Sequence, residues 1–416
     1  MTSSRILLPG VLSFVLFFGT FGSMIFDSTF TAEATFHYVT PENNSPDYWP
    51  TDGWRFSTPE EQEMDSNRLQ NMIDYIESNS IPIHSVIVLR HGYIVLEKYP
   101  TIEYNENMTH LLYSVTKSFT SSLIGIAIDK EYIANVSQRV LDFFPNRTIG
   151  NLDERKERMT LEHLLTMRSG MEWDEWNAPF TSPENDVWHL YAGPDGLQYA
   201  LNLSMVAEPG TLWHYNTGVS HILSGIIQET TGMRTIEFAN KHLFGPLGIH
   251  NVIWGTDRQG VNQGGFDLRL RPRDMAKFGL LYLNNGTWES EQIVSTDWVA
   301  ISTSAISILN NNEGYGYQWW TLPKIGVYFA AGLYGQFIFV VPEFDLVVVF
   351  TSGLSRDASY PHPQIVSEFI IPAVMETTPI TYVSEFFKVS ILFVIVTSML
   401  LTSIYGYLRH KLMSKS

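Results

Sequence analysis

The sequence predicts an α+β domain: an antiparallel sheet assembled from both ends of the chain, flanked by helices, with a mainly helical insertion between the two sheet-forming parts. Three observations predict it. Residues 85–99, "SVIVLRHGYIVLEKY", are two β-branched runs broken at His91-Gly92 and read as a hairpin. Residues 327–353 contain three more such runs with short turns, which imply antiparallel pairing. Between them, from about 137 to 300, helical patterns are joined by Gly/Pro/Trp-rich loops, and no strand ladder is evident.

The bulk properties set limits on this reading. A chain of 416 residues, 44% hydrophobic and 17% charged, can bury a large core. A net charge of −17 leaves no basic face for phosphate, which argues against a nucleic-acid partner. There is no cysteine, so no disulfide framework supports the fold.

The elements follow in order. Residues 1–34 read as a signal peptide or N-terminal anchor: Ile6 to Phe26 is uncharged after Arg5, and Ala32-Glu33-Ala34 is a small-x-small site. The globular domain is expected over 50–376. Within it, Glu60 to Ser78 carries Met64, Leu69, Met72, Ile73 and Ile76 at helical spacing. The hairpin comes next, then the segment "LLYSVTKSFTSSLIGIAID" at 111–129. The middle contributes "TLEHLLTM", "GVSHILSGIIQETTG" and "RDMAKFGLLYLNNG" as helices. Strands "VYFAAG", "QFIFVVPE" and "LVVVFTSG" precede a helix around Ile365 to Met375. A juxtamembrane linker at 377–388 and an uncharged run at 389–408 then read as a membrane helix, with Arg409, His410, Lys411 and Lys415 in a cytoplasmic tail at 409–416. This pattern implies a single-pass cell-membrane protein whose domain lies outside the cytoplasm. N-x-S/T sites at Asn43, Asn107, Asn135, Asn146, Asn202 and Asn285 agree weakly with a glycosylated protein.

The chemistry starts at Ser114 and Lys117. Residues i and i+3 share a helix face, and "LIGIAI" beyond them is apolar all round, which marks a buried helix. Desolvation at its mouth lowers the lysine pKa and makes a neutral amine available to the serine hydroxyl. Ser-x-x-Lys alone is common by chance. Two other segments join it: Tyr215 in a loop just before an apolar helix, and the glycine-closed turn of "AAGLYGQFIFVVPE" at 330–343. His163 and His221 lie on apolar helical patterns and read as structural; no spacing suggests a metal site. Arg273-Asp274 reads as a helix cap and a clamp on a loop carbonyl. Trp173, Trp176, Trp188, Trp213, Trp254, Trp319 and Trp320 read as packing, with some lining a cleft. Gly-x-Ser-x-Gly does not occur.

These segments in this order, with "LEHLLTMRSGMEW" and "RPRDMAKFGLLYLNNG" between them, resemble the beta-lactamase-related serine hydrolases: class C beta-lactamases, D,D-carboxypeptidases, esterases and 6-aminohexanoate-dimer hydrolases. The resemblance covers roughly residues 55 to 375. It implies a beta-lactamase-like (penicillin-binding, transpeptidase-like) fold, a nucleophile at Ser114, a lysine at Lys117 and a proton-shuttling Tyr215. By the same matching, the backbone N–H groups of Ser114 and Leu333 make the oxyanion hole, and Thr217, Ala330 and Gly332 line the substrate site. No cofactor or metal is implied.

Two positions depart from the family pattern. Thr217 stands where the lactamases have the asparagine of Tyr-x-Asn, and Ala330 stands where they have a cation that holds a substrate carboxylate. The resemblance therefore implies a hydrolase forming an acyl-Ser114 intermediate on a small-molecule or envelope-derived ester or simple amide. A non-turnover acylated sensor or binding receptor on the same fold, or a D,D-peptidase or beta-lactamase, stays open.

Overall fold

The computed structural model describes residues 48–374 apart from position 311. Its first helix, α1 (Ser66–Ser78), starts later than the periodicity predicts. Glu63 is left-handed, with φ 57°, and breaks the run, and Asp65 then caps the helix by accepting from the backbone N–H groups of Asn67 and Arg68. The hairpin is β1 (Ile83–Arg90) and β2 (Tyr93–Lys98). Three helices follow that matter for the site: α2 (Thr116–Asp129), α3 (Thr217–Thr231) and α4 (Pro272–Leu283). The chain then returns to the sheet as β3 (Ser307–Ile308), β4 (Gly314–Tyr315), β5 (Trp320–Leu322), β6 (Val327–Gly332), β7 (Gln336–Val341) and β8 (Leu346–Ser352).

These eight strands form one sheet in the order β2-β1-β8-β7-β6-β5-β4-β3. The two ends of the chain meet at β1 and β8, which run antiparallel with Ile87 opposite Val349. Both faces are apolar because both are covered. Val86, Val88, Phe339 and Val348 pack with Leu69, Met72, Ile73 and Ile76 of α1 and with Ile365 and Ile370 near the end of the domain. Ile87, Ile338, Val347 and Val349 face the helical side, with Phe119 and Leu123 of α2 and Phe278 of α4. The expected α+β architecture is thus present.

Three details differ from expectation. The final helix is a short α-turn, His362–Ile365, followed by a π-turn and a 3-10 turn. The middle contains a small ladder that periodicity missed: Leu268–Leu270 pairs with His110–Leu111 on one side and Ile253–Trp254 on the other. Such two- and three-residue strands are too short to show alternation. The membrane reading is also corrected. No helix among the described residues is long and apolar enough to cross a membrane. Even α3, at 15 residues, falls short of the ~20 that a span requires. The single-pass, extracytoplasmic placement and the membrane as a partner are therefore dropped. The segments on which they rested (1–34, 377–388, 389–408 and 409–416) lie outside the described residues.

Candidate active site

The short ladder at His110–Leu111 delivers the chain to Ser114: the Leu112 N–H donates to the Leu268 carbonyl, 2.8 Å away. The next residue, Tyr113, is left-handed with φ 48°, a conformation that a bulky side chain adopts only where its surroundings enforce it. One enforcing contact is Tyr334, whose ring lies edge-on at 4.8 Å. Ser114 therefore sits in a 3-10 turn, Tyr113–Val115, that runs straight into α2 at Thr116, and not in the α-helix itself.

Lys117 lies in the first turn of α2 and is 2% exposed. The helix is buried on every side from Thr116 to Ala127, as its all-round apolar pattern predicts. The Lys117 ammonium donates to three acceptors: Ser114 Oγ at 3.2 Å, Thr217 Oγ1 at 3.1 Å and the Gly265 carbonyl at 2.9 Å. Gly265 is needed at that point, because a Cβ there would lie 3.2 Å from Lys117 Nζ and 2.7 Å from Thr217 Cγ2. Burial lowers the Lys117 pKa to about 8, against the opposing pull of the nearby Glu175 carboxylate. As an amine, Lys117 retains two N–H donors for Thr217 and Gly265 and turns its lone pair to the Ser114 hydroxyl.

Tyr215 approaches from the loop ahead of α3. That helix is capped by Asn216, whose side chain accepts from the Val219 N–H. The Tyr215 ring lies 4.9 Å from Lys117 Nζ and stacks on Trp320 at 6.1 Å, with Trp213 beside both. Burial, and then Glu175, push the phenol pKa up, against a smaller opposing pull from the Ser114 side chain. Thr217, which stands where the family's lactamases have asparagine, holds the lysine through its hydroxyl.

Gly332 ends β6 beside the serine. A Cβ there would lie 2.3 Å from the Leu112 carbonyl and 3.2 Å from the Ser114 nitrogen, so only glycine lets the strand come this close. Leu333 follows at the turn. Ala330 is 1% exposed and belongs to the cluster on the helical side of the sheet, paired in register with Ile338. The structure thus brings Ser114, Lys117, Tyr215, Thr217 and Gly332 together, with Ala330 on the same strand as Gly332.

The profile of the Beta-lactamase family matches residues 68–361, which span both sheet-forming parts and every residue of this cluster. The chain belongs to the Beta-lactamase family. Among its relatives in that family is the 6-aminohexanoate-dimer hydrolase of Paenarthrobacter ureafaciens, 23% identical over 299 residues, covering 67% of this chain and 72% of the relative. The lovastatin esterase of Penicillium rubens is 30% identical over 148 residues, covering 32% of this chain and 34% of the esterase. The chain thus spans about a third of that esterase. Among solved structures, EstCE1, a hydrolase with promiscuous acyltransferase activity, shares the fold with a TM-score of 0.62 at 16% identity, covering 75% of this chain and 98% of its own.

Within the family fold the remaining candidates are structural. His163 Nδ1 accepts from the Thr160 N–H and closes a helix cap. His221 is fully buried against Asp257 at 3.2 Å. Asp274 pairs with Arg271, and Arg273 clamps the Glu97 carboxylate of β2 bidentately, at 2.8 and 2.7 Å, in place of the expected loop carbonyl. Glu175 is the residue that sequence reasoning missed. It is 4% exposed, accepting from Trp173 Nε1 at 2.6 Å and from the Thr217 N–H at 3.1 Å. The only local hint was an acid between two tryptophans in "WDEW".

Proposed function

We propose that this protein is a serine hydrolase that forms an acyl-Ser114 intermediate on esters or simple amides and discriminates against β-lactams. The observation carrying this reading is the 3.2 Å contact between Lys117 Nζ and Ser114 Oγ inside a buried site, with the Tyr215 ring 4.9 Å from the same Nζ.

The chemistry follows from the contacts. Ser114 Oγ attacks the acyl carbon while its proton passes to the Lys117 amine. The carbonyl oxygen becomes an oxyanion, stabilised by the backbone N–H groups of Ser114 and Leu333. As the intermediate collapses, the bond to the leaving oxygen or nitrogen breaks. That atom takes the Tyr215 proton, and the phenol is restored from Lys117. Water then attacks the acyl carbon, giving its proton to the same relay, and the Ser114 oxygen leaves with a proton returned to it.

The preference for neutral substrates has two supports. Ala330 offers no cation where the family's lactamases hold a carboxylate, a contact worth roughly a hundredfold in kcat/KM. The aromatic wall of Tyr215, Trp213 and Trp320 suits an apolar acyl or leaving group.

The test uses a fluorophosphonate probe and two chromogenic substrates. Ser114→Ala must abolish labelling, and p-nitrophenyl butyrate must be turned over with a higher kcat/KM than nitrocefin. Labelling of Ser114→Ala, or release of one equivalent of nitrophenol with no further turnover, would overturn the hydrolase reading. Nitrocefin turnover matching the ester would overturn the substrate preference.

A further inference from the structure

We propose that Glu175 is a positioning residue for the Ser114 chemistry: its buried carboxylate fixes Thr217 against Lys117 and neutralises the charge Lys117 carries once it has taken the serine proton. The proposal rests on the Ser114 reading above.

The geometry is a continuous chain of contacts. The Thr217 N–H is pinned on Glu175 Oε2, and the hydroxyl of the same threonine accepts from Lys117, which reaches Ser114. Trp173 holds the same carboxylate oxygen from the other side. The Glu175 backbone is equally constrained. Its carbonyl accepts from buried Asn185 at 2.9 Å and from Arg356 at 3.3 Å, and the same two side chains bind the Ala178 carbonyl. Arg356 lies over the Phe180 ring at 4.5 Å and the Trp176 ring at 5.2 Å, pressing the loop onto the domain. A carboxylate held at both ends in this way is preset before substrate arrives.

The electrostatics give that presetting a purpose. During acylation Lys117 becomes an ammonium in a site where it is 2% exposed, and a buried ammonium without a counter-charge is costly. Among the described residues Glu175 is the acid that acts on Lys117; the Tyr215 and Tyr315 phenols also feel its charge, and the Arg356 guanidinium sits on its backbone carbonyl. Burial keeps both phenols protonated. Among the described residues Glu175 makes no hydrogen bond to Ser114, so its effect reaches the reaction through Thr217 and through charge.

The pH profile of kcat/KM for p-nitrophenyl butyrate, measured on the full chain, tests the proposal. Glu175→Gln keeps an oxygen for both N–H donors but removes the charge. The expected result is a roughly tenfold lower kcat and an acid limb moved about one pH unit downward, because the amine of Lys117 then persists at lower pH. Glu175→Asp keeps the charge but draws it back by a methylene: kcat should fall about tenfold with the acid limb unmoved. A Glu175→Gln limb superimposed on the wild type would overturn the proposal. If the glutamine variant does not fold, a wild-type kcat for Glu175→Asp would overturn it instead. Loss of probe labelling in Ser114→Ala, run alongside, keeps a failure of the Glu175 role distinct from a failure of the Ser114 reading.

Discussion

Lys117 Nζ stands 3.1 Å from Thr217 Oγ1, across 100 residues of sequence, so the base of the candidate relay is tied to the head of a second helix. The threonine that stands in place of the lactamases' asparagine holds the lysine through its hydroxyl.

That bond is open to a direct test. Thr217→Val preserves shape and removes the acceptor, and should lower kcat/KM for an activated ester by about ten- to a hundredfold. Thr217→Ser should stay within a few-fold of wild type. Steady-state kinetics of the two variants check this, and a loss in Thr217→Ser with none in Thr217→Val would show that the methyl group matters and the hydroxyl does not.

The second expectation concerns pH. The Lys117 pKa is lowered to about 8 by burial, and only the deprotonated amine accepts the serine proton. Ester kcat/KM should therefore rise with pH and level off above about 8. A profile already flat from pH 6 upward would remove Lys117 from the role of base.

The same burial has a thermodynamic consequence. The folded pKa of about 8 lies below the ordinary lysine value of 10.5, so the unfolded chain binds more protons between these values and wild-type stability rises with pH across that window. Below pH 8 the penalty is fully present, at about 3 kcal/mol. Lys117→Met should abolish turnover, and its stability relative to wild type should decline by about 2 kcal/mol between pH 6.5 and 9.5. Urea unfolding at the two pH values measures the gap; a constant gap contradicts the linkage.

Gly332→Ala addresses the turn proposed to hold the oxyanion. The added methyl meets the Leu112 carbonyl and crowds the Ser114 nitrogen, so either strand or serine must shift. The expected loss in kcat is on the order of a hundredfold, with slower fluorophosphonate labelling. Wild-type labelling rates would mean that the strand relaxes without disturbing the serine.

The parts of the site legible in sequence are those whose signal is local. Ser114 and Lys117 stand three apart at the head of an apolar run, and Tyr215 precedes another such run. The strands at 85–99 and 327–353 carry β-branched residues over enough length to be read. Glu175 carries no such mark, because what defines it is contact with Thr217, and nothing in the pattern of a loop between two helices predicts where a carboxylate will land. The break at Glu63 and the 3-10 turn holding Ser114 were equally hidden, since both depend on single left-handed residues, Glu63 and Tyr113, that are not glycine. Ala330 and Thr217 were visible as departures from a family pattern, but that Thr217 retains the lysine bond emerged only from distance.

The pairing of β1 with β8 places Ile83 against Ser352, and Gly332 at the end of β6 lies against the serine turn. A ribosome that has emitted Ser114, Lys117 and Tyr215 has therefore made every side chain of the proposed relay but neither β8, the second partner of β1, nor the glycine that closes the pocket. Until β8 emerges, the N-terminal hairpin has an open edge and apolar residues on both faces, a state that invites association with other chains. Nascent chains truncated before about residue 352 should then be inert toward the fluorophosphonate probe and depend on chaperones to stay dispersed. The proposed site would appear late and all at once, as the last strands leave the exit tunnel.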